Sequence, residues 1–156
     1  MNIFVLDLDA RQAARYLCDK HVVKMVTESA QLLSTVAHVY KYAAPRLYRP
    51  THAKHPCTLW AQQSKDNCLW LWEHADEMCL EYTRRYGRLH GAAEIISNCR
   101  ELPKECPDIG KTAFALAMPE QYKTEDAVRS YRRYYLNDKV LFAAWKTGEP
   151  AWWRSI

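Results

Sequence analysis

Glycine is scarce in this chain, four residues in 156, and two of the four fall late, at Gly110 and Gly148. So little glycine, together with long periodic segments, argues against a sandwich or barrel and for helices. No run of 18 apolar residues occurs, which excludes a membrane-spanning helix. The stretch Met1 to Asp7 has no basic region and turns acidic at once, so it does not read as a signal peptide. None of the cysteines, Cys18, Cys57, Cys68, Cys79, Cys99 and Cys106, belongs to a C-x-x-C pair. They read as reduced thiols filling the core of a cytoplasmic protein. Also absent are the phosphate-cradling loop G-x-x-x-x-G-K-S/T and the dinucleotide fingerprint G-x-G-x-x-G. The zinc-deaminase pattern is missing too, because His55-Pro56-Cys57 lacks both the glutamate and the second cysteine.

What is present suits one all-α domain spanning residues 1–156. Nearly half the residues are apolar and 26% are charged, which excludes a disordered chain. A net charge of +4 permits an anionic partner without demanding one. Six Trp and ten Tyr exceed what a core of this size needs, and suit base stacking, a partner surface or a homodimer.

Along the chain, residues 2–7 form a short apolar run, strand or buried extended segment. Asp9 can cap a helix from about Arg11 to His38, with a break near Cys18-Asp19. A long loop follows from Tyr42 to Pro56, carrying three prolines and several basic residues. The spacing predicts a second long helix from Thr58 to Tyr86, closed by Gly87, with an inward stripe Trp60, Ser64, Asn67, Leu71, Ala75, Met78 and Tyr82. A short helix over Glu94–Arg100, one or two helical turns over Thr112–Met118, and a last helix from Thr124 to Trp145 complete the pattern. The tail from Gly148 to Trp153 reads as an aromatic strap.

The segment Asp19 to Leu33 carries the best candidate for chemistry. His21, Lys24, Glu28 and Gln31 are spaced three, four and three apart, which puts them on one helix face. Val22, Val26, Ser29 and Leu33 form a neighbouring face, and Val23, Met25, Ala30 and Leu32 much of the rest, so the helix reads as buried. A base, a cation and an acid in a row cost free energy in a core unless they pair or line a wet cavity. Glu28 can orient or activate a water, Lys24 can neutralise negative charge or act as an amine nucleophile, and His21 can exchange a proton. The plain alternative is a Lys24–Glu28 pair that only links helices.

Other clusters are less specific. Thr51-His52-Ala53-Lys54-His55-Pro56-Cys57 is either a loop over the stripe, with His52 and His55 on a phosphate or leaving group, or part of a zinc site. No standard ligand spacing supports zinc, and no cofactor is expected. Arg84, Arg85 and Arg88 alternate with Tyr82 and Tyr86, and Arg129, Arg132 and Arg133 with Tyr131, Tyr134 and Tyr135. Both groups suit either a solvated basic face or a nucleic-acid surface. Glu73, Asp76, Glu77 and Glu81 come nearest to a magnesium cluster, although Glu77 and Glu81 also fit a solvated face.

Asp19-Lys20-His21-Val22-Val23-Lys24-Met25 with Glu28, Thr51-His52 through His55-Pro56-Cys57, and Arg85-Tyr86-Gly87 with His90 resemble a family of small proteins encoded by tailed bacteriophages. Trp60, Asn67, Trp70-Leu71, Glu81-Tyr82, Ala117-Met118-Pro119 and Tyr131-Arg132 extend the likeness over nearly the whole chain. The family is linked to alpha-glutamyl/putrescinyl thymine pyrophosphorylases, which exchange groups on modified thymine, and to DNA glycosylases resembling them.

That resemblance implies a DNA-directed enzyme in the cytoplasm of an infected bacterium, with no membrane partner. In a glycosylase, Glu28 or Asp19 would activate water and stabilise the cationic sugar. In a transferase, Lys20, Lys24 and His52 or His55 would hold a leaving pyrophosphate. Gln31, Asn67, Arg85 and His90 would complete the substrate contacts, beside a nucleic-acid surface of Arg84, Arg88, Arg129, Arg132 and Arg133. The target base would be flipped into a pocket between the first helix and the loop His52–Cys57. Two readings of other classes remain: a non-catalytic protein that binds nucleic acid or blocks a host defence, and a small nucleotide hydrolase.

Overall fold

Asp9 starts the first helix as its sequence position suggests, its carboxylate accepting from the Gln12 backbone N–H at 2.7 Å. The computed structural model describes residues 1–154 and is helical, with no strand among them. Helix α1 covers Ala10–Arg15 and α2 covers Asp19–Val39, separated at the expected break. The next helices are α3, Pro56–Gln63, and α4, Lys65–Tyr86. Short α5, Ala93–Asn98, and α6, Ala127–Tyr134, follow, and α6 runs into a π-helical turn over Tyr135–Lys139.

Helix α4 is the hub, packing on both α1 and α2. The inward stripe from Trp60 to Tyr82 is buried throughout, as its spacing predicts. Gly87 closes α4 in the left-handed conformation, φ 68°, and its N–H reaches Thr83 O at 2.8 Å, a geometry that favours glycine.

The expected single helix from Thr58 to Tyr86 is two helices. Ser64 is extended (φ −150°, ψ 157°), and its hydroxyl accepts from Asn67 N–H at 3.1 Å, capping α4 while ending α3. Thr112–Met118 is not helical. Side chains from elsewhere take its backbone groups: Asn67 Oδ1 accepts from Thr112 N–H, Tyr131 donates to Ala115 O, and Asn2 donates to Ala117 O. The last helix is also shorter than expected. Asp126, not Thr124, caps it, and regular helix ends at Lys139. The aromatic strap is present. Trp145 donates to Tyr16 O at 2.9 Å, and Trp152 packs edge-on against Tyr16 and Tyr135.

Buried acids and arginines clamp α1 to α4. Glu77 and Glu81, which fit a solvated face by sequence, are 2% and 5% exposed. Arg15 and Arg84 hold Glu77 at 2.9 Å each, Arg11 reaches it at 3.5 Å, and Arg84 and Arg85 hold Glu81. Burial disfavours the Glu77 carboxylate, but these arginines outweigh it and lower its pKa below the usual range. The acids are thus neutralised by arginine and are not a magnesium cluster.

Candidate active site

The apolar run at the start of the chain forms no strand. It passes through the core as an extended segment anchored by Asn2, whose Nδ2 donates to Ala117 O at 2.7 Å. Asn2 Oδ1 accepts from the backbone N–H of Ile3 and Phe4. This anchor lays the first residue against the middle of α2. There the α-amino nitrogen of Met1 lies 3.5 Å from Glu28 Oε2, while Lys24 Nζ lies 3.4 Å from Glu28 Oε1. One carboxylate therefore sits between two amines. The Glu28 side chain is 14% exposed and that of Lys24 is 70% exposed. So the helix is not buried all round; its polar stripe opens to solvent at Lys24. An ion pair this exposed is worth about 0.5 kcal/mol, which makes a purely helix-linking role for it weak.

Met1, Asn2, Phe4, His21, Lys24, Met25, Glu28, Tyr134 and Lys139 line a cavity of about 150 Å³ around these groups. Phe4 adopts φ 35°, an uncommon value for a side-chain-bearing residue, and stacks on His21 with centroids 4.4 Å apart. His21 is buried, and its Nδ1 lies 2.5 Å from Tyr135 Oη. Burial, aided by the charges of Lys139 and Lys24, pushes its pKa down to about 3, so His21 is neutral at physiological pH. A ring held neutral in this way can still donate or accept a hydrogen bond.

The loop before α3 folds over α2, as anticipated. Thr35 donates to Thr51 O and accepts from Thr51 N–H, and Thr58 donates to His52 O. His55 caps α3, its Nδ1 accepting from Cys57 N–H at 3.1 Å. Its pKa is lowered by burial first, then by the chain's α-amine and His52, with Glu28 acting the other way. His55 thus lies within electrostatic reach of both Met1 and Glu28. His52 is exposed, at φ 52°. Cys57 is buried, which raises its thiol to about 12. Among the described residues no group of three or more His, Cys, Asp or Glu is placed to hold a metal ion.

The other candidate residues divide by location. Gln31 is half-buried one turn beyond Glu28, and Lys20 is exposed with Nζ 5.1 Å from the Phe142 ring. Asp19, Asn67, Arg85 and His90 have structural partners instead. Asp19 accepts from Arg85 and from Lys146 N–H. Asn67 donates to Trp60 O and Thr112 Oγ1. Arg85, its side chain wholly buried, donates to the carbonyls of Leu17 and Arg15. His90 Nε2 is 3.0 Å from Val23 O.

The supposed nucleic-acid arginines do not form one free face. Arg84 is tied to Glu77 and Glu81, Arg88 to Tyr82, Arg132 to Leu6 O, and Arg133 to Gln121 O. Arg129 alone of the five is exposed with only its backbone N–H bonded, to Asp126, among the described contacts. Sequence reasoning missed the Met1 amine, Asn2, Tyr134, Tyr135 and Lys139. No motif signals an amine whose place is set by the tertiary fold.

Fold and site together define a helical protein with an amine–carboxylate pair in a small pocket bordered by two lysines. The profile of the pyrimidine dimer DNA glycosylase family matches residues 1–93, and the chain belongs to that family. No curated protein and no solved structure matches it. The match spans Met1, His21, Lys24, Glu28 and the loop with His52 and His55; Tyr134 and Lys139 lie beyond it. The family establishes a DNA glycosylase type of function, with DNA as the substrate class. No helix among the described residues is long and apolar enough to cross a membrane.

Proposed function

We propose that this protein excises damaged pyrimidines from DNA by an amine-assisted route centred on Met1 and Glu28. The observation that carries the reading is the α-amine held 3.5 Å from a partly buried carboxylate. The Met1 side chain is 3% exposed and holds its amine in the pocket, whereas Lys24 is 70% exposed and reaches into solvent. The better-solvated Lys24 is the weaker nucleophile of the two.

The amine nitrogen attacks C1′ of the damaged nucleotide. The N-glycosidic bond breaks, its electron pair leaves with the pyrimidine, and the departing base takes a proton from solvent. While the glycosidic bond breaks, the ionised Glu28 stabilises the positive charge on the sugar; it then takes the proton shed by the amine and hands it to O4′. The sugar ring opens to an imine, and water then adds at C1′, frees the amine and leaves an abasic site. Lys24 and Lys139 supply positive charge at the pocket for the flanking phosphates. The cavity is small beside ordinary ligand pockets of roughly 300–1,000 Å³, and so suits a sugar carbon rather than a whole nucleotide. Family membership favours base removal over group exchange on a modified thymine.

The test is incubation with ultraviolet-irradiated duplex DNA and with DNAs carrying other modified pyrimidines, followed by mass spectrometry of released bases and abasic sites. Release from irradiated DNA is expected. Intact bases in every DNA, with binding retained, would contradict the proposal.

A further inference from the structure

Tyr135 bears directly on the chemistry of His21, although it lies outside the segment that the family profile covers. It opens the π-helical turn at the end of α6 and is fully buried. Three groups converge on its hydroxyl. The backbone N–H of Cys18 donates to it at 3.2 Å, Cys18 Sγ lies at 3.5 Å, and His21 Nδ1 lies at 2.5 Å. The Cys18 amide can only donate, so the hydroxyl proton must go either to His21 Nδ1 or to the thiol sulfur. Nitrogen is both nearer and the better acceptor. A hydroxyl donating to Nδ1 requires that atom to be bare, which places the imidazole proton on Nε2.

The surroundings keep the ring in that state. Phe4 stacks on one face, Phe142 meets it edge-on at 5.5 Å, and Lys24 and Lys139 oppose a positive charge there. No hydrogen bond is made at Nε2 among the described residues, nor is that atom among the buried unpartnered ones. With Nδ1 fixed in the core, the Nε2 edge is the one left to the cavity that His21 lines with Met1 and Glu28.

We infer that Tyr135 is a positioning residue that locks His21 as a neutral Nε2–H donor facing the Met1–Glu28 pocket, where it hydrogen-bonds an oxygen of the bound nucleotide without transferring a proton. The role of the donor rests on the reading of this pocket as the place of base excision; the tautomer does not. Neutral imidazole suits this task, since a further cation would oppose the positive sugar that forms beside Glu28.

Two-bond ¹⁵N–¹H spectra of uniformly labelled protein from pH 5.5 to 8.5 report the ring's protonation directly. The expected result is a bare Nδ1, a protonated Nε2 and no titration. A protonated Nδ1, or an imidazolium in this range, overturns the inference. In Tyr135→Phe, a mixture of tautomers is expected, with kcat for base release about tenfold lower and KM little changed, the scale of one hydrogen bond. An unchanged tautomer or an unchanged kcat in a folded variant overturns the positioning role. His21→Gln, which keeps an N–H donor, should retain more activity than His21→Leu, and equal loss in both would refute the donor. If the spectra show the expected tautomer but the wild-type protein releases no base, the excision reading fails and the Tyr135–His21 lock stands.

Discussion

The α-amino nitrogen of Met1 and the carboxylate of Glu28 face each other at 3.5 Å, although 27 positions separate them in the chain. Neither group is placed by its immediate neighbours alone. Glu28 is set by the helical spacing of α2, whereas the amine is held by the clasp that Asn2 makes with Ala117, beyond the segment matched by the family profile. The amine–carboxylate pair is therefore built across most of the fold.

Glu28→Gln should lower base release by about 10²–10⁴-fold, because the variant can neither take the amine's proton nor stabilise the charged sugar. DNA binding should persist, since the positive groups of the pocket remain. A filter-binding assay beside the base-release assay separates the two. Undiminished release would exclude Glu28 from the chemistry.

Asn2→Ala should leave the amine in place covalently but loosen it. It removes the bond to Ala117 O and both bonds from the Ile3 and Phe4 amides. The expected signature in steady-state kinetics is a kcat at least tenfold lower with little change in KM, as for loss of a positioned reactant. A change confined to KM would assign Asn2 to substrate binding instead.

Arg85 was a substrate-binding candidate by sequence, and its buried partners turn it into a prediction about stability. Arg85→Met leaves Asp19 and Glu81 short of a cation and the carbonyls of Leu17 and Arg15 without their donor. Breaking such a pair costs about 3–5 kcal/mol, measurable by urea unfolding. A variant of wild-type stability with weakened DNA binding would restore the substrate role.

Acid should unfold the protein partly through its histidines. His74 is stacked on Trp70 at 4.9 Å, neither ring nitrogen has a partner among the described residues, and burial pushes its pKa down to about 3. Above pH 6.5 the group is neutral folded and unfolded and contributes nothing to the pH dependence. Between 6.5 and about 3 only the unfolded chain takes the proton, so stability falls as pH falls, by up to about 1.4 kcal/mol per pH unit. In urea titrations from pH 7.5 to 4.5, His74→Leu should flatten the slope. An unchanged slope would mean that His74 protonates freely in the folded state.

The sequence made the polar stripe of α2 readable because helical periodicity places His21, Lys24, Glu28 and Gln31 on one face whatever the tertiary fold. Asp9 and Gly87 were readable for a similar reason: caps act within a few residues. The break at Ser64 carried a usable sign, a serine ahead of Asp66 in the first turn of α4, but the apolar stripe running through it suggested continuity. Thr112–Met118 could not be read locally, since Asn67, Tyr131 and Asn2 decide its backbone from far away. Long-range placement also hid the Met1 amine and Lys139 and sent Arg132 to Leu6 O, whereas Arg84 pairs within α4, with Glu77 and Glu81.

The central claim is that the Met1 amine is the nucleophile, and covalent trapping tests it most directly. Protein whose N-terminus is verified as Met1 by intact mass is mixed with irradiated duplex DNA and sodium borohydride, which reduces an imine to a stable amine. The adduct is then mapped by peptide mass spectrometry. A DNA adduct on the N-terminal peptide, at the α-nitrogen, is the predicted result. An adduct at Lys24, or base release with no adduct at all, would contradict it.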